Sequence, residues 1–357
     1  MVFSKNKKQI FENLGAVFSA IFWAISGLSL TFFATLYSGV ETNMGTNGAL
    51  KFGIITAFFI ELFTLCWSFL LVPIIKKNFN LAILFPFKNK RIWILILSSF
   101  LGAPLGTAMY WMAMIEIGAS KATSISTLFP ILSTMCVYLF MKKKSSWNTI
   151  VGLLIAVAAA VSFGIIAGWK DPNSWKGYLF ISIAVVAWGL EAFLSSVSLE
   201  SNVDPYVSIF LRSLTSVIVF LVILLPSFGA YSKSGIVYFS TETKKCFFFL
   251  VIAGFFACIS FMLYYRALSQ LSVPKATSIN ITYSFWTMLI EPMLLIIDPK
   301  WKLHPWYIYV LGITILLGAI FGLLDFSNFK KNKQLQSNSP DADEQDKELK
   351  SEQIQSQ

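Results

Sequence analysis

Charge and catalytic side chains are scarce in this chain. Only 13% of its 357 residues are charged and His304 is its one histidine. No Asp-Asp or His-Glu pair stands at a helical spacing, so a membrane-embedded hydrolase or transferase would lack its nucleophile with base, metal site or clustered acids, and catalysis is not expected. The four cysteines, Cys66, Cys136, Cys246 and Cys258, have no paired spacing, which argues against a disulfide framework and a zinc site. A Gly-x-x-x-x-Gly-Lys-Ser/Thr phosphate loop is missing, so ATP is not expected to drive the protein directly. No metal or other cofactor is called for.

What the chain has instead is apolar surface: 56% hydrophobic residues, with 34 Phe and 11 Trp. About 20 apolar residues cross a bilayer core as a helix. Ten stretches meet that measure, approximately 13–38, 52–75, 92–115, 122–141, 146–169, 177–199, 205–229, 246–265, 276–297 and 303–324. Gly152 to Gly168 is almost continuously apolar, whereas barrel strands alternate in polarity. The expected fold is therefore an all-α integral membrane protein. The first run, about 26 residues long, exceeds a signal-peptide core and reads as retained. Residues 1–12 precede the bundle, and 326–357, polar and without aromatics from Lys333 on, read as a disordered tail.

With the N-terminus inside, the inner stretches, both termini included, hold 16 Lys and Arg, among them Lys76, Lys77, Lys88, Lys90, Arg91 and Lys142 to Lys144, against nine on the other side. Both termini are thus expected in the cytoplasm, in the cell (plasma or inner) membrane. The net charge of +10 then reflects topology and lipid headgroups as partners, with no soluble face for nucleic acid.

Residues 110–125 and 264–279 repeat one another without a gap: Tyr110, Ala113 and Lys121-Ala122-Thr123-Ser124-Ile125 recur as Tyr264, Ala267 and Lys275-Ala276-Thr277-Ser278-Ile279. Trp23-Ala-Ile-Ser and Trp188-Gly-Leu-Glu are a second echo. A repeat inside a membrane protein points to a transporter of two related halves with a site between them. These motifs, the five-helix period and the Gly-rich closing segments Val151-Gly-Leu-Leu-Ile-Ala and Leu311-Gly-Ile-Thr-Ile-Leu-Leu-Gly318 resemble the drug/metabolite transporter superfamily, in particular its ten-helix EamA-type members.

The resemblance implies inverted repeats, 13–169 and 177–325, joined by an external linker 170–176, with helices 1–4 and 6–9 lining a central cavity and 5 and 10 at the periphery. It implies a secondary transporter of a small organic metabolite working by alternating access: export of an amino acid or related compound, with uptake of a nucleoside, vitamin or nucleotide-linked metabolite as the alternative. A homodimer is compatible with it. One departure is that the family often places an acid at the end of the fourth helix of each half, where this chain has Lys142-Lys143-Lys144 and Asp298.

Ionisable groups within spans are costly and usually functional. Glu191 would bind an ammonium group, carry a proton or pair with Arg212. Arg212 would anchor a carboxylate or phosphate, or snorkel to the interface. Glu61 would couple protons or make a structural hydrogen bond, and Glu291, before Pro292, would do so at a kink or lie near the surface. Ser124 and Ser278, in hydroxyl-rich turns, are expected to line the path, and Tyr110, Trp111, Tyr264, Tyr265, Tyr283 and Trp286 face either the cavity or the interface. The expected substrate set is Trp23, Ser26, Tyr110, Ser124, Trp188, Glu191, Arg212, Tyr264, Ser278 and Tyr283, and the proton-coupling set Glu61, Glu191 and Glu291.

Overall fold

The computed structural model describes residues 2–36, 44, 47–167, 174–231, 238, 241–296 and 305–323. Asp298, His304, residues 170–173 of the linker and the tail 326–357 lie outside them. No strand occurs among the described residues. A bilayer offers the backbone no hydrogen-bond partner, so apolar runs of this length close their bonds internally as helices.

The helices are α1 (Val2–Leu36), α2 (Gly48–Lys76), α3 (Ile92–Ile117), α4a (Ala119–Ser126) and α4b (Phe129–Met141), and α5 (Trp147–Ala167). The second half holds α6 (Trp175–Leu199), α7 (Pro205–Ser227), α8 (Thr241–Gln270), α9a (Val273–Asn280) and α9b (Tyr283–Ile290), and α10 (Trp306–Leu323). Among the described residues, nine of the ten expected spans qualify as membrane-crossing by length and composition. The expected span 276–297 is instead broken. Thr282 Oγ1 donates to the carbonyl of Ile279 at 2.6 Å, and Glu291–Ile296, containing Pro292, tightens into a 3-10 turn. A side-chain hydroxyl that bonds the local backbone competes with the helical ladder. In the first half Thr127 Oγ1 does the same to Ser124 at 2.6 Å, and the fourth span breaks there too.

α1 runs along α8 and α3 along α6, while α2 crosses α7 and α5 crosses α10. Exchanging the halves interchanges the α1/α8 and α3/α6 pairings and leaves α2/α7 and α5/α10 unchanged, which is the contact pattern of two five-helix repeats. The α5/α10 crossing is made by glycine. A Cβ on Gly152 would strike the backbone of Gly318 and Gly322, and one on Gly318 would lie 2.8 Å from the backbone nitrogen of Ala156. Without water to drive association, helices in lipid gain most from such close backbone approach.

We call the end of the bundle where α1 starts the basal end and the other the distal end. Basally, one apolar cluster unites both halves, from Val72, Leu95 and Val137 to Phe193, Phe210, Met262 and Ile279. Ion pairs Lys76 to Asp204 and Lys143 to Glu200 lie over it, so the lysine run that departs from the family pattern has an acid as its partner in the turn after α6. Distally the packing splits into two clusters, Phe52, Phe58, Phe220 and Leu250 in one and Ala113, Ile117, Ala122 and Ile181 in the other.

Adding a methyl group at the α5/α10 crossing should force backbones apart. Gly152→Ala is expected to lower stability by about 1–3 kcal/mol, the range for overpacked sites. Gly27→Ala, where a Cβ meets nothing within 4 Å, should be neutral or mildly stabilising. Unfolding temperatures of the two purified variants check this.

Candidate functional site

Between the halves lies a cavity of about 230 Å³. Its floor is an ionic triad. Arg212 of α7 donates through Nε to Glu191 Oε1 of α6 at 2.8 Å and through Nη1 to Glu61 Oε1 and Oε2 of α2 at 3.0 and 3.3 Å. The side chains of Arg212, Glu61 and Glu191 are only 4%, 9% and 13% exposed. The Arg212 guanidinium carbon lies 4.0 Å from the ring centre of Phe261, which gives the cation a further favourable face. With all three groups ionised the triad carries one net negative charge.

A chain of hydroxyls holds the triad in place. Tyr265 Oη donates to Glu191 Oε1 at 3.4 Å and accepts from Ser195 Oγ at 3.2 Å, and Ser195 Oγ lies 2.7 Å from Ser98 Oγ. Space for Glu191 comes from α3. Pro104 cannot donate a backbone hydrogen bond, and residues Leu101–Gly106 widen into a π turn around it. The Gly102 carbonyl accepts from Trp188 Nε1 at 2.9 Å, and a Cβ on Gly102 would overlap the Glu191 carboxylate. Gly106 leaves room for the same indole, whose Nε1 is 2.6 Å from where its Cβ would stand.

Nine aromatic side chains wall the cavity: Trp23, Tyr110, Trp111, Phe129, Trp188, Phe261, Tyr264, Tyr265 and Tyr283. The repeat places six of the lining residues. Thr107, Tyr110 and Trp111 share one face of α3 at spacings of three and four, and Phe261, Tyr264 and Tyr265 do so on α8. Tyr110 and Trp188 pack at 5.2 Å between ring centres.

The structure thus brings Trp23, Tyr110, Trp188, Glu191, Arg212, Tyr264, Tyr283 and Glu61 to one cavity. Four expected residues stand elsewhere. Ser26 donates to the Ala253 carbonyl at 2.8 Å and fastens α1 to α8. Ser278 is buried and donates to the Pro274 carbonyl at 2.6 Å within α9a. Ser124 faces a second, lateral cavity, and Glu291 begins the 3-10 turn after α9b. Trp286 is also outside the central cavity. Phe129, Phe261 and Ser195 line the cavity without having been expected to. For Phe261 the signal was available, since it precedes Tyr264 by three residues on the same face.

A family model described as the EamA-like transporter family matches residues 175–324. Protein LicB of Haemophilus influenzae is 30% identical over 277 residues, 77% of this chain and 86% of that protein. A solved crystal structure of 13% identity superposes with a TM-score of 0.59 over 87% of this chain and 95% of that one, a likeness of fold.

Removing one partner of a buried ion network leaves uncompensated charge, at a cost of about 3–5 kcal/mol. Arg212→Gln is therefore expected to unfold at markedly lower temperature, and adding Glu61→Gln and Glu191→Gln should recover much of the loss. Thermal unfolding of the single and triple variants is the check, and a triple variant no better than Arg212→Gln would contradict the triad's energetics.

Proposed function

The chain belongs to the EamA-like transporter family, and from that premise we propose that it is a secondary transporter of a small organic cation, bound through an ammonium group in the aromatic cavity and carried by alternating access. The observation that carries the substrate class is the pairing of two carboxylates with a single guanidinium. Arg212 is already bonded to two carboxylates, so it has little to offer a substrate carboxylate or phosphate, while the second carboxylate, when ionised, is left without a cation of its own. Aromatic faces around such a site attract cations by about 0.5–2 kcal/mol each, more when water is excluded. This favours an amine, or an amino acid held by its ammonium end, over a nucleoside or nucleotide-linked compound. The volume, about 230 Å³, falls below the roughly 300–1,000 Å³ of drug-sized sites.

Glu191 is the proposed principal ligand carboxylate, and Glu61 the group that keeps Arg212 in position. In the absence of substrate the spare acid is suited to a proton, so protons and substrate would compete for it. Alternating access is reversible, and the gradients of substrate and proton would set export or uptake. The charge bias of the loops supports cytoplasmic termini in a plasma or inner membrane.

Tetramethylammonium is expected to quench or shift the tryptophan fluorescence of the purified protein saturably, and tert-butanol, of similar shape but uncharged, is not. Glu191→Gln should weaken the cation by about 10–100-fold, the value of a lost charge-assisted contact of about 1.5–3 kcal/mol. Equal responses to cation and alcohol would refute the substrate class.

A further inference from the structure

The two copies of the repeat have one sequence and two packings. In α9a, Ala276, Thr277, Ser278 and Ile279 are each at most 1% exposed. The hydroxyls of Thr277 and Ser278 are bonded to the carbonyls of Val273 and Pro274, and Val273, Ala276 and Ile279 belong to the large basal cluster. In α4a the equivalent Thr123 and Ile125 are only half-buried. Ser124 is 3% exposed, yet its Oγ has no hydrogen-bond partner. Ala122 is buried like its equivalent Ala276, so identical residues are locked on every side at one end of the bundle and left partly open at Thr123 and Ile125 at the other.

α4a is also a thin wall between two voids. Ser126 lines the central cavity, while Lys121, Ser124 and Ile125 line a lateral cavity of about 450 Å³ whose far wall is Val161 and Gly164 of α5 and Tyr178 of α6. Residues two apart on a helix point roughly oppositely, so an eight-residue segment has space on both sides. Both its ends are breaks. Gly118 precedes it at φ 83° and ψ 155°, a conformation that side chains exclude, and the turn at Thr127 and Leu128 follows. The position equivalent to Gly118 in the second half is Ser272, with an ordinary φ of −67°. Near the middle of the segment a hydrogen bond ties α4a to α3 at the wall of the central cavity, between Thr123 Oγ1 and Tyr110 Oη at 2.6 Å, while Ser126 at its end meets Tyr283 of α9b, beside the 127–128 turn. The equivalent Thr277 hydroxyl is instead bonded within its own helix.

We infer that α4a is the distal gate of the central cavity, turning about Gly118 and the 127–128 turn into the lateral cavity, with the Tyr110 to Thr123 hydrogen bond as its latch. The inference rests on the transport reading and names the moving part of the same site. Movement into the lateral space would also offer the Ser124 hydroxyl new surroundings. The second copy, packed without such space, is the closed counterpart at the basal end.

Hydrogen exchange of the purified full chain tests this without any transport assay. Peptides covering 119–126 should exchange about tenfold faster than those covering 273–280, since exchange follows local opening. Tyr110→Phe should raise the difference several-fold, and Gly164→Leu, which fills the lateral cavity, should reduce it. Val161→Phe, from the same wall, serves if Gly164→Leu does not fold. Equal exchange of the two segments, or a first segment indifferent to both the latch and the filling variant, overturns the gate. Tetramethylammonium binding is followed on the same samples. Equal exchange with binding intact would remove the gate and leave the site, whereas unequal exchange without binding would remove the site and leave the gate.

Discussion

The rest of the structure is arranged around one guanidinium placed between two carboxylates. Arg212 joins α2, α6 and α7, and so both halves, through bonds of 2.8 to 3.3 Å in a region where an unpaired charge would be costly. Buried ion pairs are weak contributors to net stability because desolvation offsets their attraction. The proposed transport role gives their retention another reason, a second carboxylate free to meet a cationic ligand. On the proposed reading the triad, with both carboxylates ionised, is an anionic site whose own cation occupies one of two places, and the aromatic walls supply the second, softer attraction that an organic cation can use.

That site is held asymmetrically. On the basal side a single apolar cluster crosses the boundary between halves, while on the distal side the apolar packing is divided and the cavity follows the division. An inverted repeat makes such asymmetry informative, because two copies of one sequence can occupy the two packings in turn. The π turn at Leu101–Gly106 belongs to the same economy of space: α3 gives up regular hydrogen bonding where Glu191 and Trp188 must fit.

Much of the architecture could be read from the chain. Length and apolarity of the spans, the repeat at 110–125 and 264–279, and the scarcity of charge were sufficient for the fold and for the four ionisable candidates. The Gly-rich closing segments were visible as a motif, and they are the α5/α10 crossing. What was not legible was direction. Ser124 and Ser126 are two residues apart and stand on opposite walls of α4a, so a hydroxyl-rich run could not say which hydroxyl meets the cavity. Ser26 lies at the level of Glu191 in the echo of the halves, yet it turns to the α8 backbone. Glu61 and Arg212 are separated by 151 residues, and no local pattern marks them as partners. The break in α9 was hidden because Thr282 is compatible with a helix until its hydroxyl captures the Ile279 carbonyl.

The central claim is that an organic cation crosses on this site by alternating exposure to the two sides. Counterflow in proteoliposomes tests it most directly. Uptake of labelled tetramethylammonium should saturate and should accelerate when unlabelled cation is trapped inside, because a carrier reloaded with cation returns without waiting for its spare acid to take up a proton. Flux that rises linearly with concentration and ignores the trapped cation, or no flux above that of empty liposomes, would contradict the account.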